Sequence, residues 1–194
     1  MPVQVDADER RRHIVEAALR LVVEKGLAAV TFRKVAAEAH LNIGSVRHYF
    51  ADHESLVVAA AAEAGDRMGQ RVDRCPAPER SGGATSRQYL LTVLEELVPL
   101  DDGRHREAIV LMEVIAASRT NPAFAPVVRK MAADLHTVLV EALTSIGVVH
   151  PVEEAVALAA LVSGLSLDAV TPHGAVEPAT IRAVLRQHVA TLGP

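Results

Sequence analysis

The sequence predicts an all-α protein of about nine helices, a three-helix N-terminal unit built around a helix-turn-helix followed by a larger helical part. Three observations carry this expectation. Apolar residues recur along the chain at i, i+3, i+4 and i+7, the spacing of one helix face. Half of the 194 residues are hydrophobic, mostly Ala, Val and Leu, with no tryptophan, a composition suited to helices packed closely through small side chains. Finally, Thr31 to Leu56, TFRKVAAEAHLNIGSVRHYFADHESL, reads as two short helices joined by a tight turn and holds three of the five aromatic residues, Phe32, Tyr49 and Phe50.

The first helix runs from Arg10 to Gly26, with Ile14, Ala18, Leu21, Val22 and Lys25 on one stripe and Gly26 as its stop. Thr31 caps the second helix, whose Phe32, Val35, Ala36 and Ala39 share a face. The turn passes through His40 and Leu41, and Asn42 caps a third helix. Val46 and Phe50 of that helix point inward, while Gly44, Ser45, Arg47 and His48 point outward. No Asp or Glu occurs between Asn42 and Ala51, so this surface suits a polyanion. Asp52 caps a fourth helix that starts near Glu54 and continues to Arg74.

Cys75-Pro76-Ala77-Pro78 and Ser81-Gly82-Gly83 then read as a linker. Thr85 or Ser86 would cap a helix carrying Tyr89, Leu90, Val93, Leu94 and Leu97, ended by Pro99 and Asp101-Asp102-Gly103. Further helices are expected over Arg104–Ser118 and, after a turn at Asn121-Pro122, over Phe124–Ile146 with Gly147 as the stop. From Val152 to Val170 the chain is apolar on nearly every face, which requires burial. The terminal helix, Pro178 to Leu192, offers a stripe of Ile181, Val184, Leu185, His188 and Leu192. These last two helices read as a dimer surface, two from each subunit, with Val156, Leu161, Gly164 and Leu165 contributed by the first; the alternative is that both complete the core of a single chain.

Charge is unevenly distributed. Residues 1–50 hold eight Lys/Arg against six Asp/Glu, and the remainder twelve against eighteen, so the N-terminal end is the one suited to phosphate. Four of the nine histidines, His13, His40, His48 and His53, also lie there, and their protonation should strengthen DNA affinity toward about pH 6. The single cysteine, Cys75, excludes an internal disulfide and a multi-cysteine metal site, and no cofactor is expected. Its position between Arg74 and Pro76 would suit a thiol of lowered pKa and a redox sensor, although a lone linker thiol is far more often incidental. No glycine-rich phosphate loop, H-E-x-x-H or G-x-S-x-G is present, so an enzyme is not expected. No apolar run reaches the roughly 18–20 residues that span a bilayer, and the N-terminus is charged, so no membrane partner and a cytoplasmic location are expected.

Thr31 offers a hydroxyl and helix N-terminal N–H groups to phosphate. Arg33, Ser45, Arg47 and His48 are the expected base readers, with Asn42, Ile43 and Gly44 near the start of the recognition helix; arginine best fits guanine through O6 and N7. At Thr-Phe-Arg-Lys-Val-Ala, Gly-Ser-Val-Arg-His-Tyr-Phe and Asp-His-Glu-Ser-Leu the chain resembles the DNA-binding region of TetR-family regulators, over about residues 8–58. The Met112–Phe124 and Leu161–Leu192 regions are similar to regulators of the betaine-pathway type. The resemblance implies a DNA-binding domain over residues 1–53 and a ligand-binding and dimerisation domain over residues 54–194. It also implies phosphate contacts at Tyr49 and at His53, where the family often has a lysine. Arg47 stands where a tyrosine is common, and His40 replaces a frequent glycine at a turn position that favours positive φ.

By the same resemblance the function would be that of a transcriptional regulator, with repression rather than activation the simpler default because blocking polymerase requires only DNA binding. A homodimer would bind a dyad-symmetric duplex operator and release it when an unknown small molecule binds among the C-terminal helices. Leu94, Met112, Ile115, Met131 and Leu135 are the apolar candidates for that pocket, and Glu113, Arg119, His136, Asp168 and His173 the polar ones. The alternatives are a DNA-binding dimer without an effector, and redox sensing through Cys75.

Overall fold

The computed structural model describes residues 7–76 and 84–192. Within them the chain is helical, without strands: α1 (Ala7–Lys25), α2 (Phe32–Glu38), α3 (Ile43–Tyr49), α4 (His53–Val72), α5 (Ala84–Glu96), α6 (Asp102–Ser118), α7 (Ala125–Ile146), α8 (Pro151–Val170) and α9 (Pro178–Thr191), with 3₁₀ turns at Leu27–Ala29 and Pro122–Phe124. The all-α expectation therefore holds. The linker read from Cys75 to Gly83 lies, beyond Pro76, outside the described residues. No helix among the described residues is long and apolar enough to cross a membrane.

Two compact units form, one from the chain up to residue 65 together with 109–128, the other from 66–108 together with 129 onward. These are divisions by packing; α4, α6 and α7 each run from one unit into the other.

The interior of the first unit draws on Ile14, Ala18 and Val22 of α1, Val35 and Ala36 of α2, Val46 of α3, Leu56 and Ala60 of α4 and Val110 and Val114 of α6. Each fully buried Ile, Leu or Val contributes about 1.5–3 kcal/mol from removal of apolar surface from water. Local chemistry sets the helix ends. Thr31 Oγ1 accepts the Lys34 N–H at 3.3 Å, and Asn42 Oδ1 accepts the Ser45 N–H at 2.8 Å. Asp52 and Ser55 cap α4 reciprocally: Asp52 Oδ1 accepts the Ser55 N–H, and Ser55 Oγ accepts the Asp52 N–H. His40 has φ of 52°, and the Leu41 N–H reaches back to the Ala36 carbonyl at 2.8 Å, a left-handed helix stop that turns the chain into α3.

The second unit closes around Leu90, Val93, Leu94 and Leu97 of α5, Leu139 and Leu143 of α7, Leu158, Val162 and Leu165 of α8, and Ile181, Leu185 and Val189 of α9. α7 ends at Gly147, with φ of 83°, as its sequence implied. Two expectations are corrected. Asp101-Asp102-Gly103, read as a helix break, is the start of α6, because Asp101 Oδ1 accepts the Arg104 N–H at 2.9 Å and serves as its cap. Ser86, read as a possible cap, lies buried inside α5.

Arg71, near the end of α4, makes a bidentate pair with Glu107 of α6, Nη1–Oε1 3.2 Å and Nη2–Oε2 2.7 Å. Its Nε lies 3.2 Å from Glu96 Oε2 without hydrogen-bond geometry, so that contact is coulombic only. Glu96 Oε2 also accepts from Arg104 Nη1 at 3.1 Å, and Arg104 Nε donates to Asp101 Oδ2 at 2.7 Å, which carries the chain of charges from α4 through α5 to the head of α6.

Candidate nucleic-acid interface

The recognition helix α3 is short and its orientation is held at both ends. Asn42 Oδ1 accepts both the backbone N–H and the hydroxyl of Ser45, at 2.8 and 3.2 Å, and the Phe50 N–H closes the last turn on the Val46 carbonyl at 3.1 Å. Val46 and Phe50 are buried, which leaves Ile43, Gly44, Arg47 and His48 exposed and Ser45 half-buried. An ideal Cβ added to Gly44 would lie 3.2 Å from Asn42 Oδ1, so a larger residue there would crowd the cap. Thr31, Arg33 and Asn42 are likewise exposed. Each sequence-derived base reader on α3 except Ser45 thus presents itself to solvent on one side.

The Arg47 guanidinium carbon lies 5.8 Å from the centroid of the Phe32 ring, so a side chain from α2 supports the arginine of α3. A separation of fifteen positions along the chain conceals this pairing from any local pattern. His48 and Tyr49 meet edge to face with centroids 5.1 Å apart, and Tyr49 is half-buried.

His53, in the first turn of α4, hydrogen-bonds through Nδ1 to the Val30 carbonyl, next to the Thr31 cap. Because a carbonyl only accepts, Nδ1 carries the proton. The neutral ring then offers only an acceptor at Nε2, and only the imidazolium adds an N–H donor for phosphate. His13 is anchored similarly, Nε2 to the Ala39 carbonyl at 2.9 Å. The one carboxylate on α2, Glu38, receives Arg20 Nε at 2.6 Å, and that hydrogen bond, opposed in part by desolvation, holds its carboxyl below the usual range.

The other sequence-derived residues scatter. Of the effector candidates, Met112, Glu113, Ile115 and Arg119 belong to the first unit and Leu94, Met131, Leu135, His136, Asp168 and His173 to the second. Leu94 is sealed in the second core, whereas Ile115 and Arg119 are exposed. Glu113 Oε2 accepts the Leu27 N–H at 3.5 Å, and Asp168 Oδ1 lies 3.2 Å from His173 Nδ1. Met112, Met131, Leu135 and His136 are half-buried.

The residues of the expected dimer stripe divide by burial within the chain. Leu165, Ile181, Leu185 and Leu192 face the core of their own chain, while Leu161, Val184 and His188 are half-buried and Val156 and Gly164 are exposed. His188 Nε2 bonds Glu154 Oε1 at 2.7 Å, tying α9 to α8. The bare side of α8 instead presents Val152, Val156, Ala157, Ala160, Ser163, Gly164 and Leu167 at i, i+3, i+4 spacing. The less favoured alternative, redox sensing at Cys75, loses support. Burial, followed by the charge of Glu96, raises its pKa, which disfavours the thiolate a sensor needs.

Comparison with known proteins bears on this geometry. Residues 14–60 match the family described as bacterial regulatory proteins, tetR family, and residues 86–194 match the family described as BetI-type transcriptional repressor, C-terminal. The HTH-type transcriptional regulator PksA of Bacillus subtilis is 29% identical over 119 residues, 61% of this chain and 56% of its own length, so the match spans little more than half of that relative. A solved transcriptional regulator from Rhodococcus superposes with a TM-score of 0.84 at 27% identity, covering 93% of this chain and 94% of that one. The multidrug binding protein EbrR, solved with malachite green, gives a TM-score of 0.70 at 30% identity over 96% of this chain and 99% of its own. The helix-turn-helix geometry and these matches, which together reach from residue 14 to residue 194, lead to one conclusion: the chain belongs to the TetR family of DNA-binding transcriptional regulators.

Proposed function

We propose that the protein is a ligand-responsive repressor that binds a dyad-symmetric operator as a homodimer. The observation that carries the reading is α3: a capped helix whose exposed side bears Arg47 and His48, with no carboxylate between Asn42 and Ala51 to repel phosphate. Arg47, Arg33, His48 and Ser45 read base edges, beside Asn42, Ile43 and Gly44. Thr31, Tyr49 and His53 hold phosphates, His53 in its protonated form. Repression is the simplest consequence, since occupying an operator is enough to exclude polymerase.

The homodimer is supported by the uncovered face of α8, where Val152, Val156 and Leu167 are 52%, 61% and 46% exposed and small residues between them permit close helix approach. Release by a small molecule is supported by the relative solved with malachite green. Met112, Glu113, Ile115 and Arg119 in the first unit, and Leu94, Met131, Leu135, His136 and Asp168 in the second, remain the residues proposed to respond. Stabilisation in a thermal-shift screen would identify the effector.

The test is selection of duplexes from a random-sequence library by the full chain. Two half-sites related by dyad symmetry, with centres separated by about one or more helical turns of roughly 10–10.5 base pairs, are expected. Recovery of no common sequence, or of a single asymmetric site, refutes the reading.

A further inference from the structure

We infer that Arg11 of α1 is an additional phosphate contact, held beside the end of the recognition helix by the ring of Phe50. The inference rests on the DNA-binding reading above and adds a residue from a different helix.

Arg10, Arg11 and Arg12 are consecutive, and at about 100° per residue they leave α1 in three directions. Arg10 and Arg12 line a hollow of about 330 Å³ together with Glu9, His13 and Glu16, so two carboxylates share the environment of those two guanidiniums. Arg11 is not part of that hollow. Its guanidinium carbon sits 5.2 Å from the centroid of Phe50, and the residue is exposed.

Phe50 directly follows α3 and is only 4% exposed, so the ring is a fixed support. Arginine resting on an aromatic face keeps the N–H groups at its edge available for oxygen acceptors. The same α1 is tied by His13 to the Ala39 carbonyl just before the turn into α3. One side chain of α1 therefore meets the chain before the recognition helix and another meets it immediately after, which fixes where Arg11 lies along α3. Arg47 on Phe32 repeats the device within the helix pair itself.

The position defines the target. Seven residues of α3 rise about 10 Å, less than the roughly 12 Å width of the major groove. A cation just past the C-terminal end of such a helix stands at the groove rim, where phosphates lie. Phe50, on which Arg11 rests, directly follows Tyr49, already proposed as a phosphate contact. Contacts of this class position the protein without reading sequence.

The experiment is a salt titration of duplex binding between about 50 and 200 mM, using a duplex selected by the wild-type chain and the variants Arg11→Gln, Arg11→Ala, Arg11→Lys and Arg12→Gln. Each lost phosphate contact lowers the slope of log K against log salt by about 0.9, hence about 1.8 for a two-fold complex. The affinity deficit of Arg11→Gln should accordingly shrink about 12-fold across that range. Arg11→Lys should retain the wild-type slope, as should Arg12→Gln, and base-substituted duplexes should all weaken by one factor. Arg11→Gln keeps the aliphatic stem on Phe50 and serves if Arg11→Ala is poorly folded. Parallel salt plots for Arg11→Gln and wild type overturn the inference, as does an equal effect of Arg12→Gln or a loss confined to one base pair. Wild-type binding that is absent or independent of salt overturns the DNA-binding reading and this one with it.

Discussion

Replacing Arg47 tests whether the recognition helix reads sequence or only charge. A bidentate arginine–guanine contact discriminates by about 1–3 kcal/mol, so two half-sites make Arg47→Ala cost about 2–6 kcal/mol in a dimeric complex. The Phe32 ring, 5.8 Å from the guanidinium carbon, orders that side chain in advance, a contact worth about 0.5–1 kcal/mol at an exposed site. Phe32→Leu keeps an apolar residue on α2 but removes the ring face, and should weaken a two-site complex by about 1–2 kcal/mol, roughly 5- to 30-fold. Because Phe32 acts only through Arg47, the double variant should bind no worse than Arg47→Ala alone. Fluorescence anisotropy on the selected duplex, and on duplexes with single base-pair changes, supplies the readout. Arg47→Ala should abolish preference at one position in each half-site. Equal weakening on every duplex would make Arg47 a backbone contact, and additive losses for Phe32→Leu and Arg47→Ala would refute the support role of the ring.

Three further outcomes follow from particular contacts. Glu107→Gln should cost about 2–3 kcal/mol, between the value for an exposed pair and that for a fully buried one, because the Arg71 and Glu107 side chains are 23% and 11% exposed. Thermal unfolding should then begin about 4–12 °C lower, with Arg71→Met/Glu107→Met less impaired than the single change; a drop under about 1 °C refutes the buried-pair account. Asp101 is held below the ordinary carboxylate range, first by the Arg104 backbone N–H and then by its side chain, so its stabilising effect is complete above the unfolded pKa and is lost as pH falls through the folded one. Asp101→Asn should flatten the acid limb of a urea-midpoint profile, and parallel limbs contradict that. Val156→Glu, which places a charge on the bare face of α8, should convert a dimer to a monomer by light scattering at micromolar concentration, and a persistent dimer places the interface elsewhere.

Helix starts were legible wherever the decisive partner is three residues away. Thr31 to Lys34 and Asn42 to Ser45 are contacts that the sequence itself spells out, and the stop at Gly147 is likewise local. His40 was legible for a related reason: a chain leaving one helix for another within two residues needs a left-handed turn, whatever the fold around it. The failures have a different origin. Asp and Gly are poor inside a helix but good at its entry, so Asp101-Asp102-Gly103 gives the same signal for a break and for a cap, and only the bond to the Arg104 N–H separates them. Periodicity marks a face without naming its occupant. Ile181 and Leu185 close their own core while Val156 stays bare, although all three looked equally suited to a partner. At Cys75 it is burial and then the charge of Glu96, not the sequence neighbour Arg74, that shift the thiol, and they push its pKa up.

The interface divides along the same line. Every DNA contact read from the sequence falls between Thr31 and His53, where the chain is local enough for spacing to act as geometry. The supports that make those contacts stiff come from greater separations, Phe32 under Arg47 and the Val30 carbonyl on His53, and the proposed contact at Arg11 is supported in the same way by Phe50. In a protein with five aromatic residues, the use of two as arginine supports makes positional order of the cations, more than their number, the property that fits this modestly basic head to a duplex. It also means that affinity should respond more to loss of the ring at Phe32 than to loss of a charge such as Arg12, which shares its hollow with carboxylates.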